Sequence, residues 1–189
     1  MRNVALIVGS LRKESFTRSI ARAIAELAPA ALRFHPVEIG NLPLYNQDLD
    51  PDHPPRPWVE FRDRVRGLDA VLFATPEYNR SIPGALKNAI DVGSRPYGKS
   101  VWSGKPCAII SVSPGAVGAF GANHHLRQCL VFLDMPCMQQ PEAYIAKVTD
   151  VLDEQGRVKP GRTRDFLETF ATAFADWVEH LAHTHASAA

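Results

Sequence analysis

The pattern that most restricts this chain is an alternation of short, wholly apolar runs with stretches whose apolar residues recur every three or four positions. Val4-Ala5-Leu6-Ile7-Val8, Ala70-Val71-Leu72-Phe73-Ala74 and Cys107–Val112 have the length and uniform burial tendency of strands covered on both faces. Between and beyond them, Phe16, Ile20, Ile24 and Leu27 are spaced four, four and three apart, Ile82, Leu86 and Ile90 form a second inward stripe, and Leu126, Leu130 and Leu133 a third. Buried strands separated by amphipathic helices imply a parallel sheet with helices on both sides, because right-handed crossovers place them above and below.

The rest of the chain fits that frame. Residues 32–39 alternate weakly and predict a second strand, residues 40–57 form a Pro- and Asp-rich loop, and residues 58–66 read as a helix. Residues 135–138 are the expected fifth strand, and Pro160-Gly161 opens a last helix with Phe166, Phe170, Phe174, Trp177 and Leu181 facing inward. The expectation is an α/β fold with a five-stranded parallel sheet, residues 1–189 forming one domain, a length that supports a single core.

Charge excludes several classes of partner. Lys and Arg number 21 against 20 Asp and Glu, a formal balance of +1, so neither a phosphate-backbone binder nor a polybasic membrane anchor is signalled. No apolar run approaches the roughly 20 residues that span a bilayer, and the opening run is shorter than a secretion signal core. The expectation is therefore a cytoplasmic protein that binds neither nucleic acid nor membrane. Cys107, Cys129 and Cys137 contain no C-x-x-C pair and read as reduced thiols. His180, His183 and His185 have metal-ligand spacing but lie at a chain end, and no metal site is expected.

In open parallel sheets, ligands bind beyond the carboxyl ends of the strands, where strand order reverses. The loops after Val8, Ala74 and Val112 are thus the places to look. The first reads Gly9-Ser10-Leu11-Arg12-Lys13-Glu14-Ser15-Phe16-Thr17, with hydroxyls at Ser10, Ser15 and Thr17 and a guanidinium at Arg12. Free N–H groups and the dipole at a helix start favour a phosphate there, and Arg12 adds a charge-assisted bond. A plainer reading makes Ser15 only the helix cap. The G-x-G-x-x-G fingerprint is absent, which favours a terminal monophosphate over a pyrophosphate.

The second loop, Thr75-Pro76-Glu77-Tyr78-Asn79-Arg80-Ser81-Ile82-Pro83-Gly84, sets an aromatic ring, an amide and a carboxylate side by side. Tyr78 can flank a planar ring, and backbone groups of Glu77, Tyr78 and Asn79 can read the edge of a heterocycle. The plainer alternative is a Pro-initiated turn with Ser81 capping the next helix. The third loop runs Ser113-Pro114-Gly115-Ala116-Val117-Gly118-Ala119-Phe120-Gly121-Ala122, small enough for backbone to approach a flat ligand. His124 and His125 follow without a neighbouring nucleophile and read as surface residues, so no catalytic side chain is assigned.

Gly93-Ser94-Arg95-Pro96-Tyr97-Gly98-Lys99-Ser100 spells the triphosphate-binding pattern G-x-x-x-x-G-K-[ST]. That motif needs a strand before it and a helix after it; here a helix ends and a strand follows, so the match is rejected.

Taken together, Gly9-Ser10-Leu11-Arg12 with Ser15-Phe16, Pro76-Glu77-Tyr78-Asn79 with Ser81-Ile82-Pro83-Gly84-Ala85-Leu86-Lys87-Asn88-Ala89-Ile90-Asp91, and Ser113-Pro114-Gly115 resemble the NADPH-dependent FMN reductase family, nearest its bacterial quinone and chromate reductase branch. The resemblance implies a flavodoxin-like three-layer α/β/α fold, FMN as cofactor and NAD(P)H as co-substrate. It implies Ser10, Arg12, Ser15, Phe16 and Thr17 around the phosphate, Pro76, Glu77, Tyr78 and Asn79 along the ribityl chain and ring, and Ser113 and Gly115 beside the ring system. It further implies ping-pong reduction of a small acceptor, a class spanning quinones, azo or nitro aromatics, flavins and oxidised metal anions. A homodimer or homotetramer is expected, with residues 40–57 and 97–102 bordering the partner. The chain departs from the family pattern at Thr17, where Asn is common, Val92, where Trp is common, Gly121, where Arg is frequent, and His124, where Tyr is frequent. The alternatives are a flavodoxin-type electron carrier without an NAD(P)H site and a flavin-free binding domain on the same fold.

Overall fold

Alternate residues of the central strands face two separate cores, which is why those strands read as unbroken apolar runs. The computed structural model describes residues 1–187 and the side chains of residues 1–182. Strands β1 (Arg2–Val8), β2 (Leu32–Pro36), β3 (Ala70–Thr75), β4 (Cys107–Val112) and β5 (Ala143–Ile145) form one sheet in the order β2-β1-β3-β4-β5. Every pairing is parallel. The helices are α1 (Phe16–Leu27), α2 (Arg56–Arg66), α3 (Gly84–Gly93), α4 (Phe120–Phe132), α5 (Val148–Val151) and α6 (Arg162–Ser187).

Val4, Leu72 and Ile110 point into the layer filled by α1 and α6, where Ile20, Ile24, Phe170 and Phe174 are buried. Ala5, Phe73 and Ile109 point to the opposite layer, against Trp58, Phe61, Leu86, Trp102 and Leu126. Each such large side chain contributes roughly 1.5–3 kcal/mol of burial. The sheet is thus sandwiched between helices, the flavodoxin-like arrangement expected. No helix among the described residues is long and apolar enough to cross a membrane. No cluster of three metal-ligating side chains occurs among the described residues, and the side chains of His183 and His185 lie outside them.

The fifth strand is Ala143–Ile145, not residues 135–138. Residues 135–138 instead close α4 and touch β4 at a single bridge, Cys107 to Cys137. The Met135 amide returns to the Leu130 carbonyl, Pro136 has no amide to give, and the Met138 carbonyl is taken by Arg127. The segment therefore cannot extend a ladder.

The long loop at residues 40–57 is fastened from beneath. Asn88 donates to the carbonyls of Leu42 and Pro43 and accepts from the Tyr45 amide. Arg62 makes a bidentate pair with Asp50 at 2.7 and 2.9 Å and donates to the Val92 carbonyl, all buried. The triphosphate-like stretch has a structural reason for its first glycine, since a Cβ at Gly93 would fall 2.5 Å from the Trp102 ring. Trp102 is fully buried and donates to the Ile90 carbonyl, so it belongs to the core and not to an exposed border; Tyr97 stands almost fully exposed.

Candidate active site

The chain runs from β1 out to the edge strand β2 and then returns to β3 on the other side of β1, so the reversal of strand order lies between β1 and β3. Val8 pairs with Ala74 there, and the Gly9 amide donates to the Ala74 carbonyl at 2.8 Å. The first and second loops therefore leave the sheet side by side. The third leaves β4, the next strand along.

A cavity of about 140 Å³ opens between the three loops. Ser10, Arg12, Ser15, Phe16 and Thr17 line it from the first loop, Pro76, Glu77 and Tyr78 from the second, and Val112, Ser113 and Pro114 from the third. That is space for about five water-sized groups at ~30 Å³ each, enough for a phosphate and the start of a chain attached to it. A flat ring system has to lie outward across the loop rims, where Tyr78 is half exposed and residues 114–117 are open.

Polar groups in the cavity are built for an anion. Ser10 and Thr17 are more than nine-tenths buried as residues, but their hydroxyl oxygens stay open to the cavity and make no hydrogen bond among the described residues. Ser15 caps α1, its Oγ accepting from the Arg18 amide at 3.2 Å, which leaves its O–H free to donate. Phe16 and Thr17, which line the cavity, open α1, where amides have no helical acceptor and the dipole favours an anion. The Arg12 guanidinium rests over the Phe16 ring, 5.9 Å from its centroid, with no acidic partner among the described residues. Stacking on Phe16 orients a cation that no carboxylate neutralises.

The second loop is a tight turn in which Tyr78 and Ser81 exchange both backbone hydrogen bonds. Asn79 and Arg80 take φ of 52° and 67° to close it, a conformation costly for side-chain-bearing residues and common where a loop serves a ligand. The Tyr78 backbone groups are thus consumed, and only the Glu77 and Asn79 amides remain to read a heterocycle edge. Ser81 does not cap α3, whose cap is Pro83; its hydroxyl pairs instead with His125 Nδ1 at 2.9 Å. Asn79 sits at the tip of the turn and Gly115 just beyond Pro114, both outside the cavity wall. The Gly115 amide donates to Ser113 Oγ at 2.9 Å, which shapes the third loop locally.

Two features escaped the sequence reading. Glu77 Oε2 accepts from the Ala122 amide in the first turn of α4, joining the second and third loops. A Cβ at Gly121, a position that departs from the family pattern, would stand 3.0 Å from that carboxylate and from the Arg80 carbonyl. Beyond it, Phe120, His124 and Tyr144 form an aromatic cluster, with His124 Nε2 and the Tyr144 hydroxyl 3.0 Å apart. Gly118, at φ 59°, lies against the Tyr144 backbone where a Cβ would approach to 2.8 Å. Tyr144 carries no signal of its own because its strand is only three residues long.

A parallel sheet in this order, with a phosphate-sized cavity at its switch point and a platform for a flat ring above, defines a flavodoxin-like mononucleotide-binding protein. Residues 2–150 match the family model of NADPH-dependent FMN reductases. The chain belongs to that family, and it is an oxidoreductase with FMN as cofactor and NAD(P)H as co-substrate. It is 61% identical over 177 residues to a quinone reductase of Pseudomonas putida, covering 94% of this chain and 95% of that one. It is 47% identical over 175 residues to a 2-hydroxy-1,4-benzoquinone reductase of a Burkholderia species, covering 93% and 95%. Among solved structures, the flavoenzyme NAD(P)H:(acceptor) oxidoreductase FerB of Paracoccus denitrificans superposes with a TM-score of 0.89 at 44% identity, covering 95% and 98% of the two chains.

Proposed function

We propose that this chain acts as one FMN-binding domain that reduces quinones with electrons from NAD(P)H. The observation that carries the reading is the pair of hydroxyls at Ser10 and Thr17, on largely buried residues but open to the cavity and without a protein partner, beside the stacked, unneutralised Arg12. Together with Ser15 and the first amides of α1 they suit a phosphate dianion, and the fit to FMN is good. Pro76, Glu77, Tyr78 and Asn79 take the ribityl chain and the ring edge, with Ser113 and Gly115 beside the ring. Bound FMN supplies two-electron chemistry, accepting hydride from the nicotinamide and giving electrons to the acceptor.

The chain's own tasks are orientation and charge. The Glu77 and Asn79 amides, left free by the Tyr78–Ser81 pairing, would donate to the ring edge and stabilise negative charge there, which backbone donors do without a catalytic side chain. Residues 114–117 are exposed, so a ring held there would keep a face open to a nicotinamide or a flat acceptor. Quinones are the proposed acceptor class because the relatives at 61% and 47% identity bear quinone reductase names.

The functional unit is proposed to be a homodimer or homotetramer, since Leu44, Tyr97 and Phe132 are each more than four-fifths exposed. The electron-carrier alternative is disfavoured by the neutral charge balance. Steady-state oxidation of NADPH and NADH by the purified flavoprotein with 1,4-benzoquinone tests the reading. Turnover with parallel-line, ping-pong kinetics supports it; bound FMN that no nicotinamide reduces favours the carrier.

A further inference from the structure

A second cavity lies beside the first loop, in the groove between α1 and the edge strand β2. Its volume is about 300 Å³. Because β2 ends the sheet, no neighbouring strand covers this flank. The walls are apolar, with Val8 and Phe34 half-buried and Ala21 and Ala25 facing them from α1. Water filling such a groove leaves apolar surface against solvent, the arrangement that favours an apolar occupant.

Charge on the rim narrows what that occupant is. Arg18 and Arg22, one helical turn apart, both line the groove, and neither guanidinium has an acidic or hydrogen-bonding partner among the described residues. Glu38 stands on the opposite rim and pairs with neither. Two cations against one anion leave a single positive charge, which matches a monoanion better than a dianion. Planar guanidiniums match a carboxylate fork. The volume is at the small end of ligand pockets, which run from about 300 to 1,000 Å³, so one or two fused rings fill it. The half-exposed Phe34 ring offers a face for stacking.

We propose that the α1–β2 groove is a second ligand site, for a small aromatic carboxylate whose rings rest on Val8, Ala25 and Phe34 and whose carboxylate lies between Arg18 and Arg22. The site adjoins the cofactor loop physically. Leu11 forms one wall of the groove and packs on Gly40, and the Arg18 amide is the one capped by Ser15. An occupant therefore steadies the loop that lines the phosphate cavity.

The test is calorimetric titration of the FMN-saturated protein with 2-naphthoate and, as a neutral isostere, 2-naphthalenemethanol. The carboxylate is expected to bind about tenfold more tightly than the alcohol, a charge-assisted difference. The double variant Arg18→Gln/Arg22→Gln, altered only at the groove rim, is expected to erase that preference while leaving the alcohol within about twofold. Ala25→Trp is expected to abolish binding of both. Retained flavin absorbance reports that each variant is folded. No binding, equal affinity for the two ligands, or a preference that survives in the double variant overturns the proposal. So does binding unchanged in a folded Ala25→Trp protein, which would put the ligand elsewhere.

Discussion

The carboxylate of Glu77 accepts a hydrogen bond of 3.1 Å from the amide of Ala122, so the loop after β3 is clamped to the first turn of the helix that follows the third loop. Its other oxygen lies 3.7 Å from Arg80, and the side chain is largely buried. A carboxylate at a helix N-terminus satisfies an orphan donor and meets the positive end of the dipole. Removing it is expected to cost stability and to loosen two of the three cofactor loops at once. Glu77→Ala should lose about 1 kcal/mol, roughly 2–4 °C of Tm in a chain of this size, and Glu77→Gln, which keeps an acceptor oxygen, distinctly less. Differential scanning calorimetry reads the difference; equal losses in the two variants would mean that the contact has no cap energy.

The buried Arg62–Asp50 pair holds the long loop. Both side chains are about 5% exposed, and Tyr45 adds a third bond to Asp50. Removing one partner of a buried pair leaves an uncompensated charge, so Asp50→Ala should destabilise by about 3–5 kcal/mol. The exposed Arg56–Glu60 pair is the comparison, and Arg56→Ala should change stability by less than about 0.5 kcal/mol. Urea midpoints at constant m-value measure both.

Tyr144 confers an alkaline pH dependence. Burial, with Glu142 adding hydrogen bonding and negative charge, pushes its hydroxyl from the ordinary 10.0 up to about 12. Folding thus favours the protonated form. The corresponding stability is fully present below pH 10 and is lost as pH rises through about 12. Burial also raises Tyr45, so the informative comparison is with Tyr144→Phe, which should flatten part of that alkaline decline. Unfolding free energies measured across the alkaline range check it, and superimposable curves would contradict it.

The thiols should differ in reactivity. Burial pushes Cys107 well up, whereas the hydrogen bond from Cys107 and the charge of Arg127, whose Nη1 lies 3.5 Å from the sulfur, bring Cys137 down. Burial raises Cys129. Iodoacetamide followed by peptide mass mapping should find Cys137 alkylated first, since the thiolate is the nucleophile. Earlier labelling of Cys107 would contradict the assignment.

The two-sided burial of β1, β3 and β4 made those strands visible as apolar runs, and the spacing of Ile20, Ile24, Leu86 and Leu126 made the helices between them visible. Strand β5 was not visible, because three residues carry no period and Met135 and Met138, which look like a strand, are buried while closing α4. The cavity residues of the first loop were legible because anion chemistry there is local in sequence. Contacts such as Glu77 with Ala122, 45 positions apart, or Asn88 with the Leu42 carbonyl, 46 apart, are set by tertiary packing. Nothing in the helix containing Asn88 distinguishes a loop fastener from a ligand contact.

The central claim is that the turn after β1 holds a terminal phosphate through Arg12. Titrating the flavin-free protein with FMN and with riboflavin, by quenching of flavin fluorescence, isolates that phosphate. Wild-type protein and Lys13→Ala should prefer FMN by at least about 100-fold, and Arg12→Ala should lose about 10-fold or more of its FMN affinity with riboflavin unchanged, the size of a charge-assisted bond. Equal affinity for the two flavins, or an Arg12→Ala protein that binds FMN as wild type does, would contradict the account.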